Sequence, residues 1–447
     1  MNVNRTHRSI IILLLTLALG AAPGENFTTN SAHSAARITR PAELHPQPNP
    51  EPPSEVLLKL GAPTKAGGVS SLITRHDLTI VKRIPRIDVW VVTRPQTPVA
   101  ELARRLVQEK GVLWAEPNGR IYATGVITPN DTCYLPMQWN LRLVRLPEAW
   151  TITTGDETPI AVLDTGIDLD HADLAAKIWT NEGEIPGNGL DDDDNGYVDD
   201  VHGWNFVAGT ALLAPEPHGT HVAGIAAAHT DNQIGIAGVN WQSTVMPLQV
   251  LQNGSGSLDD LAEAIIYAAD NGAQVLNLSL GGEIEEDARK TVDAAIAHAR
   301  SQGCLLVASA GNNRTQPYPV LYPANSPQVM AVTATTADDV PWSNSNRGPE
   351  VDVAAPGVGI YSLSTDDSYA SMTGTSMAAP HVSGLAALIW SVRPALTADQ
   401  VAHVITHTAQ DTDTPGWDPR TGWGRIDALA AIQAASTHFI YIPIVQR

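Results

Sequence analysis

From residue 150 onward, near-continuous apolar runs alternate with amphipathic segments. The runs PIAVLDTG (159–166), TVMPLQVL (244–251), AQVLNLSLGG (273–282), CLLVASAGN (304–312) and VMAVTAT (329–335) read as strands buried on both faces of a parallel sheet. Between them LDDLAEAIIYAADNG (258–272) and ARKTVDAAIAHARSQG (288–303) predict helices, each closed by a glycine suited to a left-handed cap. The predicted fold is α/β, a doubly wound and mostly parallel sheet whose ligands bind beyond the carboxyl ends of the strands.

Upstream the pattern differs. EVLLKL (55–60), LTIVKRI (78–84), IDVWVV (87–92) and GVLWAEP (111–117) predict strands, and Val99, Leu102, Ala103 and Leu106 fall at helical spacing before Gly111. A second helix within 64–75 would complete a βαββαβ unit, a small α+β ferredoxin-like domain. Before it, PAELHPQPNPEPPS (41–54) is too proline-rich to pair and reads as linker. The long apolar run IIILLLTLAL (10–19), preceded by Arg5 and Arg8 and followed by GAAPG, has the form of a secretory signal peptide and is short for a bilayer span. The expected organisation is signal peptide 1–24, linker 25–54, small domain 55–124, α/β domain 125–437 and a strand-like tail 438–447.

Composition narrows the function. The 447 residues are 43% apolar, enough for a large core, and carry a net charge of −20. Residues 1–124 carry +6 and the remainder −26, so a nucleic-acid partner for the acidic part is excluded. Two cysteines, Cys133 and Cys304, leave one pairing open but exclude a disulfide framework; Cys304 lies in an apolar run that suits a buried thiol.

Four polar residues stand where strands end or helices begin. Asp164 ends PIAVLD, Asn312 ends CLLVASAGN, His218 opens HGTHVAGIAAA and Ser376 opens the helix of GTSMAAPHVSG. A serine hydroxyl is a weak nucleophile until an imidazole takes its proton and a carboxylate holds that imidazole in the right tautomer, the roles open to His218 and Asp164. The Asn312 amide and the Ser376 backbone N–H can supply the donors that a tetrahedral oxyanion needs. Taken singly, each residue has an ordinary structural role; Ser376 alone would be a helix cap. His218 and His221 could also form a metal pair, but neither an HExxH pattern nor a third ligand accompanies them. His381 reads as structural.

The ordered segments AVLDTGID, HGTHVAG, NLSLGG, SAGNN and GTSMAAPHVSG resemble the subtilisin-like serine protease family over roughly residues 125–437. The resemblance implies a secreted, monomeric serine endopeptidase without a stable membrane anchor, acting on proteins or peptides through Asp164, His218 and Ser376, with Asn312 in the oxyanion hole. It also implies substrate-pairing segments at Gly254, Ser255 and Gly256 and at Ser279, Leu280, Gly281 and Gly282, where a peptide backbone must approach closely. The small residues at 279–282 and 310–311 suggest an S1 pocket open to large apolar side chains. The domain ending in WAEPNGR resembles the family's propeptide, an intramolecular inhibitor, with the mature enzyme starting between Asn118 and Thr128. Rival readings are a transpeptidase or cyclising ligase on the same scaffold, and a catalytically inactive peptide-binding protein.

Calcium is the expected cofactor, at two places. HADL (171–174) and TDNQIGIAG (230–238) resemble the family's tight site, with side-chain oxygens from Asp131, Asp173 and Asn232 and carbonyls from Thr230, Ile234 and Ile236. In PGNGLDDDDNGYVDDVHGW (186–204), Asp191, Asp193, Asn195, the Tyr197 carbonyl and Asp199 have EF-hand-like spacing around Gly196, with His202 where the closing glutamate would stand.

Overall fold

The computed structural model describes residues 55–61, 68–94, 97, 99–118, 126–313 and 319–436. The signal-like segment, the proline-rich linker and the tail 438–447 lie outside them. The chain divides into two compact units between Ala123 and Thr124.

In the first unit, β1 (Glu55–Leu60), α1 (Gly68–His76), β2 (Thr79–Ile84), β3 (Val89–Thr93), α2 (Val99–Val107) and β4 (Val112–Pro117) follow the expected βαββαβ order. The sheet order is β2-β3-β1-β4 and every pairing is antiparallel. Val56, Leu58 and Val92 from the sheet bury against Leu102, Ala103 and Leu106 of α2, the helix face that the apolar spacing marks out.

The second unit begins with three short helices, α3 (Tyr134–Met137), α4 (Trp139–Leu143) and α5 (Leu146–Ala149). Then come strands β5 (Ile160–Asp164), β6 (Trp204–Asn205), β7 (Val245–Gln249), β8 (Val275–Leu278), β9 (Leu305–Ser309), β10 (Val329–Thr335) and β11 (Val351–Pro356). They form one parallel sheet in the order β11-β10-β9-β8-β5-β7-β6. Strands after β5 add to one side of it and then to the other, so the winding reverses at β5, the kind of point where such sheets bind ligands beyond the carboxyl ends.

Alternate residues of each strand serve opposite faces. Ile160 and Val162 join the core under helices α6 (Pro217–Ala227) and α9 (Thr375–Val392). Ala161 and Leu163 join the core under α7 (Leu258–Asp270) and α8 (Lys290–Ser301). The expected glycine caps of those last two helices are realised at Gly272 (φ 82°) and Gly303 (φ 92°). A hairpin of β12 (Ile360–Ser364) and β13 (Ser368–Met372) precedes α9, and α10 (Ala398–His407) and α11 (Ala428–Ser436) close the unit. Cys133 and Cys304 are both free; Cys304 is buried, its thiol donating to the Ala273 carbonyl at 3.1 Å.

Helix α9 is buried from Thr375 to Trp390 and packs against α6. The approach is close at Gly384, where a Cβ would stand 2.6 Å from Val239 Cβ and 3.0 Å from the Ala226 carbonyl of α6. Gly384→Ala should therefore cost about 1–3 kcal/mol by overpacking. Denaturant unfolding in the non-proteolytic Ser376→Ala background measures it; an unchanged midpoint would show that the helices have slack.

Candidate active site

The strand-ending carboxylate and the helix-opening imidazole meet. Asp164 is fully buried at the end of β5, and its Oδ1 accepts the Thr165 amide at 2.7 Å and His218 Nδ1 at 2.6 Å. The loop after β5 holds the start of α6 in place. Gly219 N donates to Thr165 Oγ1 at 2.9 Å and Glu216 N to the Gly166 carbonyl at 3.1 Å, which hangs His218 over the strand end. Asp164 Oδ2 is buried with no hydrogen-bond partner. Burial disfavours a charged His218, but the adjacent Asp164 charge and hydrogen bond, aided by Glu216, outweigh it and hold the imidazole pKa above its ordinary value.

Ser376 is the second residue of α9, 5% exposed, where a backbone amide has no intrahelical acceptor. Its hydroxyl donates to the Ser279 carbonyl at 3.2 Å and makes no hydrogen bond to His218. Asn312, beyond β9, has its Oδ1 engaged twice, by the Thr375 amide and the Thr375 hydroxyl, each at 2.9 Å. Those two donors fix the amide orientation and leave Nδ2 to donate. A Cβ on Gly374 would lie 3.1 Å from Nδ2, so that nitrogen faces the backbone just before Ser376.

His221 and His381 are structural. His221 Nε2 donates to the carbonyls of Ile360 and Ala370 at 3.0 and 3.2 Å, and burial pushes its pKa down to about 3. It faces the β12–β13 hairpin, so it makes no metal pair with His218. His381 bonds the Met377 carbonyl through Nδ1 and Asn140 through Nε2, each at 2.8 Å, and burial lowers its pKa to about 4.

The two glycine-containing segments differ from each other. Gln252 and Ser255 exchange backbone hydrogen bonds across Asn253 (φ 52°) and Gly254 (φ 77°), a tight two-residue turn, so Gly254 serves the turn. Gly256 allows close approach, since a Cβ would meet the Val250 carbonyl at 2.0 Å. The second segment follows β8. Gly282 pairs with Tyr322 on one edge (N–H···O 2.9 and 3.0 Å), while no described hydrogen bond ends on the backbone of Leu280 or Gly281. Leu321 packs close to these small residues. A Cβ on Gly311 would meet its Cγ and Cδ1 at 2.8 Å, and one on Gly281 its Cβ at 3.0 Å.

Asp131 and Asp173 are both buried, at 4% and 0% exposure. Asp173 accepts Asn232 Nδ2 at 2.7 Å and the Ile236 amide at 2.8 Å, and Asp131 accepts the Asp231 amide at 2.9 Å. Burial, with the Asp131 charge adding to it, pushes the Asp173 pKa up to about 6. No described hydrogen bond ends on the carbonyls of Thr230, Ile234 or Ile236. Two buried carboxylates and three carbonyls without a described partner suit a hard divalent cation in donor chemistry, whereas Asn232 turns Nδ2 to Asp173 and its Oδ1 accepts the Ile234 amide at 2.9 Å.

The aspartate-rich loop gathers a different set from the one its spacing suggests. Asp191 caps the amides of Asn195 and Gly196, and Asp199, at φ 56°, turns back to the amides of Asn188 and Gly189. Asp193 instead lies with Glu184 and Asp200, their carboxylate oxygens within 4.8 Å of one another. Asn195 Nδ2 donates to Asp193 and Asp200, while the amide of Tyr197 is taken by Asn195 Oδ1. Glu184 and Asp200 escape sequence inspection because Glu184 precedes the acidic run and Asp200 is indistinguishable from Asp199 until the backbone turns.

Residues 155–424 match the model of the Subtilase family. The chain is 42% identical over 307 residues to a thermophilic serine proteinase of Bacillus sp. (strain AK1), covering 66% of this chain and 70% of that protein. It is 38% identical over 311 residues to thermitase of Thermoactinomyces vulgaris, covering 68% of this chain and 99% of that one. Among solved structures, a protease from Pseudoalteromonas arctica PAMC 21717 matches with a TM-score of 0.57 and 34% identity, over 69% of this chain and all of its own. With the family model spanning more than half of the chain, and the parallel sheet and site geometry agreeing with it, the chain belongs to the subtilase family and is a serine-type endopeptidase.

Proposed function

We propose that the chain is a secreted, self-processing endopeptidase that cleaves peptide bonds through an acyl-enzyme on Ser376, with His218 as general base, Asp164 as its orienting carboxylate, and Asn312 Nδ2 and the Ser376 amide as oxyanion donors. The observation that carries this reading is the 2.6 Å contact between His218 Nδ1 and the buried Asp164, which directs Nε2 outward as the proton acceptor. In the resting enzyme the Ser376 hydroxyl is bonded to the Ser279 carbonyl; it reacts by rotating to His218, a contact that tightens when substrate is bound. The free backbone of Leu280 and Gly281 offers an edge for an extended peptide. Secretion is supported by the signal-like start and by relatives named as extracellular proteases in Xanthomonas campestris and Natrialba magadii. Among the described residues no helix is long and apolar enough to cross a membrane. The βαββαβ unit acts as propeptide and inhibitor, removed by the same active site.

Calcium is held by Asp131, Asp173 and Asn232 with the carbonyls of Thr230, Ile234 and Ile236, and a second cation by Glu184, Asp193 and Asp200. When bound it supplies positive charge that offsets the repulsion of these carboxylates.

Expression of the Ser376→Ala chain in a protease-free system tests the assignment: it should accumulate as the unprocessed precursor and hydrolyse no casein, whereas maturation of that chain would overturn it. With an amine acceptor present, the parent enzyme should release mainly hydrolysed product; predominant aminolysis would assign it to the ligases. Asn312→Ala should lower kcat by about 10²- to 10³-fold with little change in KM, the loss found in subtilisin for one oxyanion donor and carried over by resemblance. Unchanged turnover would remove Asn312 from that role.

Turnover needs neutral His218, so activity must fall as pH drops through a pKa held above the ordinary value of about 6.5. The acid limb of kcat/KM should lie above that value and move down in Glu216→Gln; a limb at or below it in the parent would contradict the electrostatics. Chelation should lower the thermal midpoint of the inactive Ser376→Ala chain, since a ligand bound only by the folded state stabilises it as RT ln(1 + [L]/Kd). Asp173→Asn should remove most of that shift if the tighter site dominates, and Asp193→Asn with Asp200→Asn if the loop does. Equal midpoints with and without chelator would eliminate structural calcium.

A further inference from the structure

Helix α9 carries Pro380 in its interior, four residues after Ser376. Proline has no N–H, so the Ser376 carbonyl is deprived of its helical donor at the point where the nucleophile must be held still. Another group takes that place. Ser279 Oγ donates to the Ser376 carbonyl at 2.8 Å. It accepts in turn from Asn277 Nδ2 at 2.9 Å, and Asn277 Oδ1 accepts from Ser383 Oγ at 2.8 Å. Asn277 and Ser383 are fully buried and Ser279 is 1% exposed. Three buried polar side chains are costly unless every member is paired, and small apolar residues would fill the same space.

We propose that Ser383, Asn277 and Ser279 form a positioning relay, in which the Ser279 hydroxyl replaces the missing N–H of residue 380 and fixes the peptide of the nucleophile. Through that carbonyl the relay sets ψ of Ser376 and so the direction of its Cα–Cβ bond toward His218. It also ties the nucleophile to the Ser279–Gly282 segment, because the Ser376 hydroxyl rests on the carbonyl of the same Ser279. This role rests on Ser376 being the nucleophile, and it belongs to the Ser279 side chain, whereas a peptide would pair with the backbone of that segment.

The test compares Ser279→Ala, Ser383→Ala, Pro380→Ala and the Ser279→Ala/Pro380→Ala double variant as mature enzymes. Measured are kcat and KM on a chromogenic peptide and the rate of labelling by a fluorophosphonate. Labelling of the parent reports on the nucleophile itself; the ratios between variants report on the relay. Ser279→Ala should lower kcat about tenfold with KM nearly constant, and labelling by the same factor, as expected for loss of one buried hydrogen bond that acts in the transition state. Ser383→Ala, one link further away, should lose about threefold in kcat. Pro380→Ala restores an N–H to the helix, so adding Ser279→Ala to it should cost much less than in the parent, whereas a merely structural serine would give additive losses. Additive losses, a change in KM without kcat, or a lowered melting temperature with kcat intact would each overturn the proposal. Where Ser279→Ala is too poorly folded to assay, unchanged kcat in Ser383→Ala overturns it.

Discussion

The packing of α9 against α6 is the constraint on which the site depends. His218 is the second residue of one helix and Ser376 the second residue of the other. Gly384 lets α9 approach until Val239 and the Ala226 carbonyl are in contact, which sets the distance between the two helix starts. The parallel sheet beneath supplies the third coordinate. The winding reverses at β5, and Asp164 stands at the carboxyl end of that strand beneath His218. Both helix N-termini then direct the positive end of a dipole to the same end of the sheet.

Electrostatics follow from the same packing. Asp164 is fully buried, with one oxygen unpartnered and the other on His218. Its charge and hydrogen bond are why the imidazole binds its proton more tightly than usual despite its own burial. In the proposed mechanism the same pair stabilises the imidazolium formed when Ser376 is deprotonated. The pairing therefore trades activity at low pH for a lower barrier above the His218 pKa.

Much of the fold was legible in local pattern. The strands at 55–60 and 329–335 coincide with their apolar runs, and the helices at 258–270 and 290–301 stop before the glycines that cap them. The two-residue strand at Trp204 and the polar hairpin strand Ser368–Met372 were not legible, since neither has length or apolar alternation to signal it. Site residues were legible as identities at strand ends and helix starts. Their restraints were not. Thr375 orients Asn312 across 63 residues and Ser279 grips Ser376 across 97, separations over which spacing carries no information. The acidic loop shows the opposite limit. Its EF-hand-like spacing is genuine, but left-handed backbone at Asp199 sends that carboxylate to the loop's own amides, and Glu184 and Asp200 come together with Asp193 in its place.

The central claim is that Ser376, Asn312 and His218 act on one carbonyl, and the crystal structure of the mature enzyme inactivated by a peptidyl phosphonate tests it most directly. The account predicts phosphorus bonded to Ser376 Oγ and a phosphonyl oxygen about 2.7–3.1 Å from both Asn312 Nδ2 and the Ser376 amide, with the side chain turned away from the Ser279 carbonyl. Phosphorus on any other residue, or a phosphonyl oxygen facing solvent with Asn312 unengaged, would contradict it.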